Sequence, residues 1–470
     1  MAWTLRRFLL IALLLRLPAV VWADGFEFVD QQYQYVDPAW HLATGGAWHR
    51  TWEWIDGVRS HVYPGFLGGV FVALRGLVDD EPMALLRLVR LVHALVSLLP
   101  LWLFWLLLVR WRPQAPGRSR TAALLLAAGA GLVIGNGVQP SGPALAATLA
   151  LAAAIAVHGP GRLPLLGGLC LGLAFCCRSQ EALFGPALLG VLLVQRRFAA
   201  AAWFAFGCVP GILLQGGVDL AVQGRFLGSV FAYVETNLSG AAEKWRQHPW
   251  WFYLAAGVLP VTAVVPPWAR AAWRRLVLGA RLLPGAAAAA AWHLAVHSCI
   301  GRKALRFEYG ALALLLVVVA AGLAADAARQ HERASRWHTT ALATVHALWF
   351  AYASFWFGNA GAVRMANALR ADPGLVHELL VVDGDATSLG GFYFLRPPAD
   401  RVVGVPRTAL AARLRASPLP PGALVVTAKV PLAPELLAAA RLEPAGTFTG
   451  MWDLRAGERR FVYRVPWARR

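Results

Sequence analysis

Charge is scarce in this 470-residue chain: Asp, Glu, Lys and Arg together make up 15% of it. With 58% of its residues hydrophobic, a soluble protein of this length could not hide so much apolar surface in one core. Acids are the scarcer sign, 25 against 44 Lys and Arg, which leaves a net charge of +19. A basic excess is also the footprint of proteins that grip nucleic-acid phosphates. Here, though, the arginines fall in short stretches between apolar blocks, at 110–120, 196–197 and 270–281. Membrane proteins place Lys and Arg in such stretches through the positive-inside bias, so no nucleic-acid partner is expected. Cysteine is rare as well. Cys170, Cys176, Cys177, Cys208 and Cys299 lie in or beside apolar blocks, with neither metal-ligand spacing nor a disulfide framework, and read as packing residues. Internal repeats and low-complexity segments are missing; the Ala run at 286–291 is a helix former inside an apolar span.

What the chain does have is apolar blocks, clearest at 91–109, 122–138, 144–157 and 305–325. Crossing a bilayer takes about 20 residues of helix, and in lipid a segment must satisfy its own backbone, so these blocks read as helices. The expected fold is an all-α polytopic membrane protein with about 11–13 transmembrane helices, the arginines at 270–281 separating a span at 251–268 from the next one. Arg6-Arg7 opens an apolar stretch that Arg16 interrupts, which favours an uncleaved first span over a cleaved signal peptide. On either reading the segment after Ala23 lies outside the cytoplasm. Two interruptions are too long and polar to be simple turns, a first extracytoplasmic loop at 24–60 and a second polar loop at 223–250. After about residue 359 the composition changes. Strand-like segments at 378–383 and 423–428 and helix-like ones at 409–415 and 435–441 predict a small α/β tail domain over 359–470, behind a membrane domain over 1–358. An odd number of spans puts that tail on the side of the first loop; an even number makes it cytoplasmic.

The first loop carries Asp30, Gln34, Asp37 and His41, in steps of four, three and four residues. On a helix these fall within roughly 60° of one face, with a kink or restart at Pro38. A set of two carboxylates, an amide and an imidazole suits transfer of a sugar to a hydroxyl. Such a transfer needs a base for the hydroxyl proton and groups to neutralise a departing phosphate. A solvated amphipathic helix with its acids facing water accounts for the same spacing.

The next residues narrow the choice: Thr51-Trp52-Glu53-Trp54, then Arg59-Ser60, then Tyr63-Pro64. The stretch resembles the first luminal loop of glycosyltransferase family 22, the polyprenyl-phosphate-mannose-dependent mannosyltransferases that build GPI anchors and N-glycan precursors. Asp30, Gln34 and Asp37 stand in that family's places, and Gln31 stands where the family usually has Glu. The resemblance implies a GT-C fold, Asp30 as the catalytic base, Asp37 and His41 orienting acceptor or base, and Gln34, Glu53 and Arg59 lining the site. Two further stretches match. Arg246-Gln247-His248-Pro249-Trp250-Trp251-Phe252-Tyr253 is similar to the family's His-Pro-Trp-x-x-Tyr; Trp250 and Trp251 equally suit an aromatic belt. Arg302-Lys303-Ala304-Leu305-Arg306-Phe307 is similar to His-Lys-Glu-x-Arg-Phe, with Arg for His and Ala for Glu. Cations beside a long apolar span are costly unless they snorkel or meet an anion, so Lys303, Arg306 and Arg302, with His248, become the expected ligands of a donor phosphate. Arg178 interrupts apolar sequence and is expected to face the same cavity.

The expected reaction moves a hexose, in the first place mannose, from a polyprenyl phosphate to a glycan or lipid acceptor. It inverts the anomeric centre and needs no metal or other cofactor. Heavy Ala, Leu and Arg usage points to a GC-rich bacterial source, hence an inner membrane with a periplasmic site and an undecaprenyl carrier; a eukaryotic source would mean the ER membrane and dolichyl. Three alternatives stay open: a GT-C enzyme for another sugar, a lipid or solute transporter, and a relative inactivated by the Gln31, Arg302 and Ala304 departures. Transporters place functional charge on broken helices in mid-span, whereas the polar groups here concentrate in loops.

Overall fold

The computed structural model describes residues 4–26, 28, 30–48, 50–79, 81–111, 117–239, 247–329, 332–355, 360–372, 379–383, 392–395, 402–428, 430–448 and 459–466. These divide into two compact units: Met1–Val21, Asp56–Tyr63 and Arg90–Ser354 form one, and Trp22–Ile55, Pro64–Val89 and Phe355–Arg470 form the other.

The first unit is helical. Among the described residues, Pro82–Trp111, Phe198–Gln223 and Leu305–Ala325 are each long and apolar enough to cross a bilayer, and two bent pairs bring the number to five if each pair is one span. Shorter apolar helices at Gly142–Ala156, Leu163–Cys177 and Ser179–Val194 accompany them. The protein is an integral membrane protein with a small C-terminal sheet. Leu305–Ala325 is the hub: 94% of its apolar window is buried, behind Gly117–Gly129, Gly142–Ala156, Ala269–Leu282 and Pro284–Ser298. Phe198–Gln223 is the opposite case, 28% buried, with Phe206, Leu213 and Leu220 on its open face, as a lipid-facing helix should be. It crosses Leu163–Cys177 where Gly207 and Gly211 meet Gly168 and Gly172; a Cβ at Gly168 would land on the Phe204 carbonyl, so only glycine permits this approach.

Two expected spans are drawn differently by the structure. The block at 122–138 is two helices, Ser119–Gly129 and Gly131–Val138, bent by 45°. Ala130 between them has extended backbone, and a side chain at Gly131 would strike the backbone of Trp349 and Phe350. The span expected at 251–268 also bends, by 48°, and continues to Leu282, so the arginines at 270–281 belong to a helix rather than to an inter-span loop. Arg274 pairs with Asp326 at 2.8 Å, while the fully buried Arg275 reaches Asp326 at 3.2 Å and His338 at 2.9 Å. A buried carboxylate between two guanidiniums keeps these charges tolerable inside the bundle.

The second unit joins the first loop to the tail. Phe392–Leu395 packs on helix Asp37–Thr44 through Tyr393, whose ring stacks on Phe71 at 5.2 Å and meets Trp40 edge-on at 5.5 Å. The tail proper is one five-stranded sheet of β1 (Leu379–Val382), β2 (Val402–Val405), β3 (Leu424–Ala428), β4 (Glu443–Phe448) and β5 (Arg460–Arg464) in the order β2-β1-β3-β5-β4. β1 runs parallel to β2 and β3, with Leu380 opposite Val403 and Val425; β5 is antiparallel to β3 and to β4. Helices Arg407–Ala416 and Pro434–Ala439 accompany the sheet, and Leu380, Leu410, Val425 and Tyr463 form its core. Of the expected strand at 378–383, residue 378 lies outside the described residues.

Candidate active site

In the first loop the expected α-helix is interrupted. Residues Gln32–Val36 form a π-turn, with the Asp37 N–H reaching back to the Gln32 carbonyl, before α-geometry resumes over Asp37–Thr44. Pro38 explains the change. In an α-helix its ring would press on the carbonyl four residues earlier, and the wider turn moves that carbonyl away. The steps of four, three and four therefore do not leave Asp30, Gln34, Asp37 and His41 on one regular face.

Each side chain is instead placed by its own contacts. The Gln34 amide donates to Glu53 Oε2 at 2.7 Å, both side chains being buried. Trp54 Nε1 donates to the Tyr33 carbonyl at 3.2 Å, so the Trp-Glu-Trp segment clips onto the loop helix. Asp37 is fully buried; its Oδ1 accepts from the Gln32 amide and, at 3.0 Å, from the Tyr393 N–H. His41 turns its Nδ1 to the Gly46 carbonyl at 2.7 Å and lies against Trp48. Asp30 is half-buried at the start of the helix, and Gln31 is fully buried, where a neutral amide costs less than a carboxylate. Arg59 sits half-buried in the other unit.

The cations of that other unit gather around a ring. The guanidinium carbons of Arg178, Arg302 and Arg306 lie 5.1, 5.8 and 5.7 Å from the centroid of Phe307. Arg178, at the end of helix Leu163–Cys177, also donates to the Arg306 carbonyl at 2.6 Å, which fixes it to the short 3-10 turn Leu305–Glu308. Cation–π attraction offsets part of the mutual repulsion of three like charges. Lys303 and His248 are placed otherwise. The Lys303 ammonium donates to the His248 carbonyl at 3.1 Å and to that of Ile300, while the His248 N–H donates to the Gly301 carbonyl at 3.1 Å. With Gln247 bridged to Arg302, these bonds strap the end of the second polar loop to the 301–303 segment. Burial lowers the Lys303 pKa below its ordinary value. The His248 ring stacks on Phe252 at 4.2 Å. Arg246, the first residue of that motif, lies outside the described residues.

Two residues here escaped the sequence reading. Phe307 lay inside a matched motif with no role, yet three arginines converge on it. Tyr393 had no motif at all; its one signal was an aromatic triplet, Phe392-Tyr393-Phe394, in an otherwise polar stretch.

A family model for Alg9-like mannosyltransferases matches residues 7–372. The chain belongs to that family. Among curated proteins it is similar to GPI mannosyltransferase 3 of Drosophila melanogaster, 25% identical over 277 residues that cover 54% of this chain and 44% of that protein. It is also similar to GPI mannosyltransferase 3 of Gibberella zeae, 32% identical over 107 residues, or 21% and 17% of the two chains. The matched region thus spans less than half the length of these curated relatives. Among solved structures the chain is similar to ArnT from Cupriavidus metallidurans bound to undecaprenyl phosphate, with a TM-score of 0.65 and 14% identity, each chain covered to 98%. The apo form of the same protein gives 0.63 and 13% over the same shares. At such identity the likeness is one of fold. The stretches that suggested the family all fall within the matched region.

Proposed function

We propose that this Alg9-like family member transfers mannose from a polyprenyl phosphate to a hydroxyl of an extracytoplasmic glycan or glycolipid. The observation that carries the reading is the gathering of Arg178, Arg302 and Arg306 around Phe307 at the mouth of the apolar helix Leu305–Ala325. A phosphate on a long apolar tail supplies the anion this cluster needs and the hydrophobic anchor its position asks for. The ArnT fold neighbour, whose structure holds undecaprenyl phosphate, supports a carrier of that class. In the proposed reaction Asp30 takes the proton of the acceptor hydroxyl as its oxygen attacks the anomeric carbon. The bond to the carrier phosphate breaks in the same displacement, so the anomeric centre inverts, and the arginines hold the charge left on the phosphate. Asp30 is the base in this reading because it holds the family's place for it, while Asp37 Oδ1 accepts hydrogen bonds from the Gln32 amide and the Tyr393 N–H. Glu53 and Gln34 then shape the acceptor side, and Lys303 and His248 support the cation cluster through the strap they form. No cofactor enters these steps. The composition favours a bacterial inner membrane, with this chemistry on the periplasmic side.

The test is transfer from radiolabelled polyprenyl-phosphate mannose to a membrane lipid extract by detergent-purified protein. Asp30→Asn is expected to lower the rate by about 10²–10⁴-fold. Equal rates for variant and wild type would remove Asp30 as the base. If wild type moved no label from any of a panel of polyprenyl-linked sugars, the transferase reading itself would fall.

A further inference from the structure

Helix Pro284–Ser298 carries two histidines four residues apart, His293 and His297, inside a run that is otherwise mostly alanine. Both are buried, and their rings stack with centroids 4.3 Å apart. Facing them is Glu308, fully buried at the end of the 3-10 turn that carries Arg306 and Phe307. Glu308 Oε2 lies 2.9 Å from His293 Nδ1, and Oε1 lies 3.2 Å from His297 Nδ1. One ligand atom from each of the three residues falls within 4.8 Å of the other two. In a tetrahedral zinc site with bonds near 2.1 Å, neighbouring donors stand about 3.4 Å apart, and the two imidazole–carboxylate separations of 2.9 and 3.2 Å lie close to that spacing.

Hydrogen bonding alone leaves this cluster incomplete. His297 Nδ1 also lies 3.1 Å from the His293 carbonyl, and the Gln180 amide meets His297 Nε2 at 2.9 Å and sets that ring's orientation. His293 Nε2 and Glu308 Oε1 are nonetheless buried without a hydrogen-bond partner, and so is Oε2 of the neighbouring Glu181. The Glu181 carboxylate stands beside Gly310 and the Phe184 ring, and that ring stacks on His293 at 4.4 Å. The two buried carboxyl groups face the two imidazoles, with Arg178 at the half-buried edge. A dication held between the imidazoles and the Glu308 carboxylate would compensate the buried charge and give Glu308 Oε1 a partner. Two imidazoles and a carboxylate favour a first-row transition ion, zinc before the hard alkaline-earth cations.

We propose that His293, His297 and Glu308 bind a zinc ion that pins helix Pro284–Ser298 to the turn Leu305–Glu308. The inference does not depend on which sugar, if any, the chain transfers. The full chain, purified in detergent from zinc-supplemented cells and passed over a chelating resin, is assayed for bound metal by mass spectrometry beside Glu308→Gln and His297→Asn. Wild type is expected to hold about one zinc per chain, and each variant at least tenfold less. Should the variants fail to fold, wild type alone decides. After exhaustive chelation its melting temperature should fall by several degrees and return when zinc is restored. Less than a tenth of a zinc per folded wild-type chain, an equal content in wild type and Glu308→Gln, or a melting temperature indifferent to chelation and zinc would each overturn the proposal.

Discussion

The first loop and the arginine cluster handle charge in opposite ways. In the loop each acid with a mapped contact meets a donor: Asp37 takes bonds from Gln32 and from the Tyr393 backbone, and Glu53 takes one from Gln34. Around Phe307 three guanidiniums share one ring, with the acids Glu181 and Glu308 buried nearby. A satisfied buried group holds a structure together, whereas a crowd of one sign is maintained against its own repulsion and is the better sign of a ligand. Polarity in a loop is thus a weaker guide to chemistry than electrical imbalance.

Three changes would break or sharpen that contrast. The largest effect is expected from Asp37→Ala, which strips the acceptor from the Gln32 amide and from the Tyr393 N–H. Losing two bonds to a buried carboxylate should cost about 3 kcal/mol. It would show as a lower melting temperature in detergent, with the KM for donor unchanged in whatever protein remains folded. Arg306→Gln should do the reverse. Removing one of the three crowded cations is expected to raise the KM for donor by about tenfold, roughly 1.4 kcal/mol, while the melting temperature stays level or rises. A melting temperature that fell instead would make the arginines structural and erase the distinction. The smallest effect belongs to Asp383, at the end of β1. The N–H of Arg407 at 2.7 Å and its guanidinium at 3.0 Å hold that carboxyl below its ordinary range. A depressed carboxylate adds stability that is fully present above its unfolded value and fades as pH falls through the lower folded one. The pair is exposed, so the gain is small. Asp383→Asn should slightly flatten the acid limb of a melting-temperature profile below about pH 4, and an unchanged limb would show the pair contributes nothing.

Much of this was legible in the chain. Apolar blocks gave the helices because lipid admits few other structures, and Leu305–Ala325 falls where its composition put it. Strand β3 and helix Arg407–Ala416 lie within two residues of expectation. Strand β4 was missed because it reads Glu-Pro-Ala-Gly-Thr-Phe; Pro444 and Gly446 are tolerated there since β4 is an edge with a bulge between them. Gly131 packs directly on the backbone of Phe350, more than 200 residues away, a contact that no local pattern encodes. At the site, the residue types were readable and their grouping was not. Arg178 and Arg306 stand 128 positions apart, so only packing shows that they share a ring. His293, His297 and Glu308 were passed over because alanine and leucine surround them, although an ionisable residue inside an apolar helix is itself the signal.

The bond from the Tyr393 N–H to Asp37 joins residues 356 positions apart. At about 5–20 residues per second of synthesis, roughly 20–70 s pass between the making of Asp37 and of its partner. For that interval the nascent loop holds an incompletely satisfied carboxylate and the uncovered faces of Trp40 and Phe71. Translation speed and the factors that attend emerging membrane proteins therefore bear on how much of this chain matures, and a stop codon just before residue 393 should be as damaging as one far upstream.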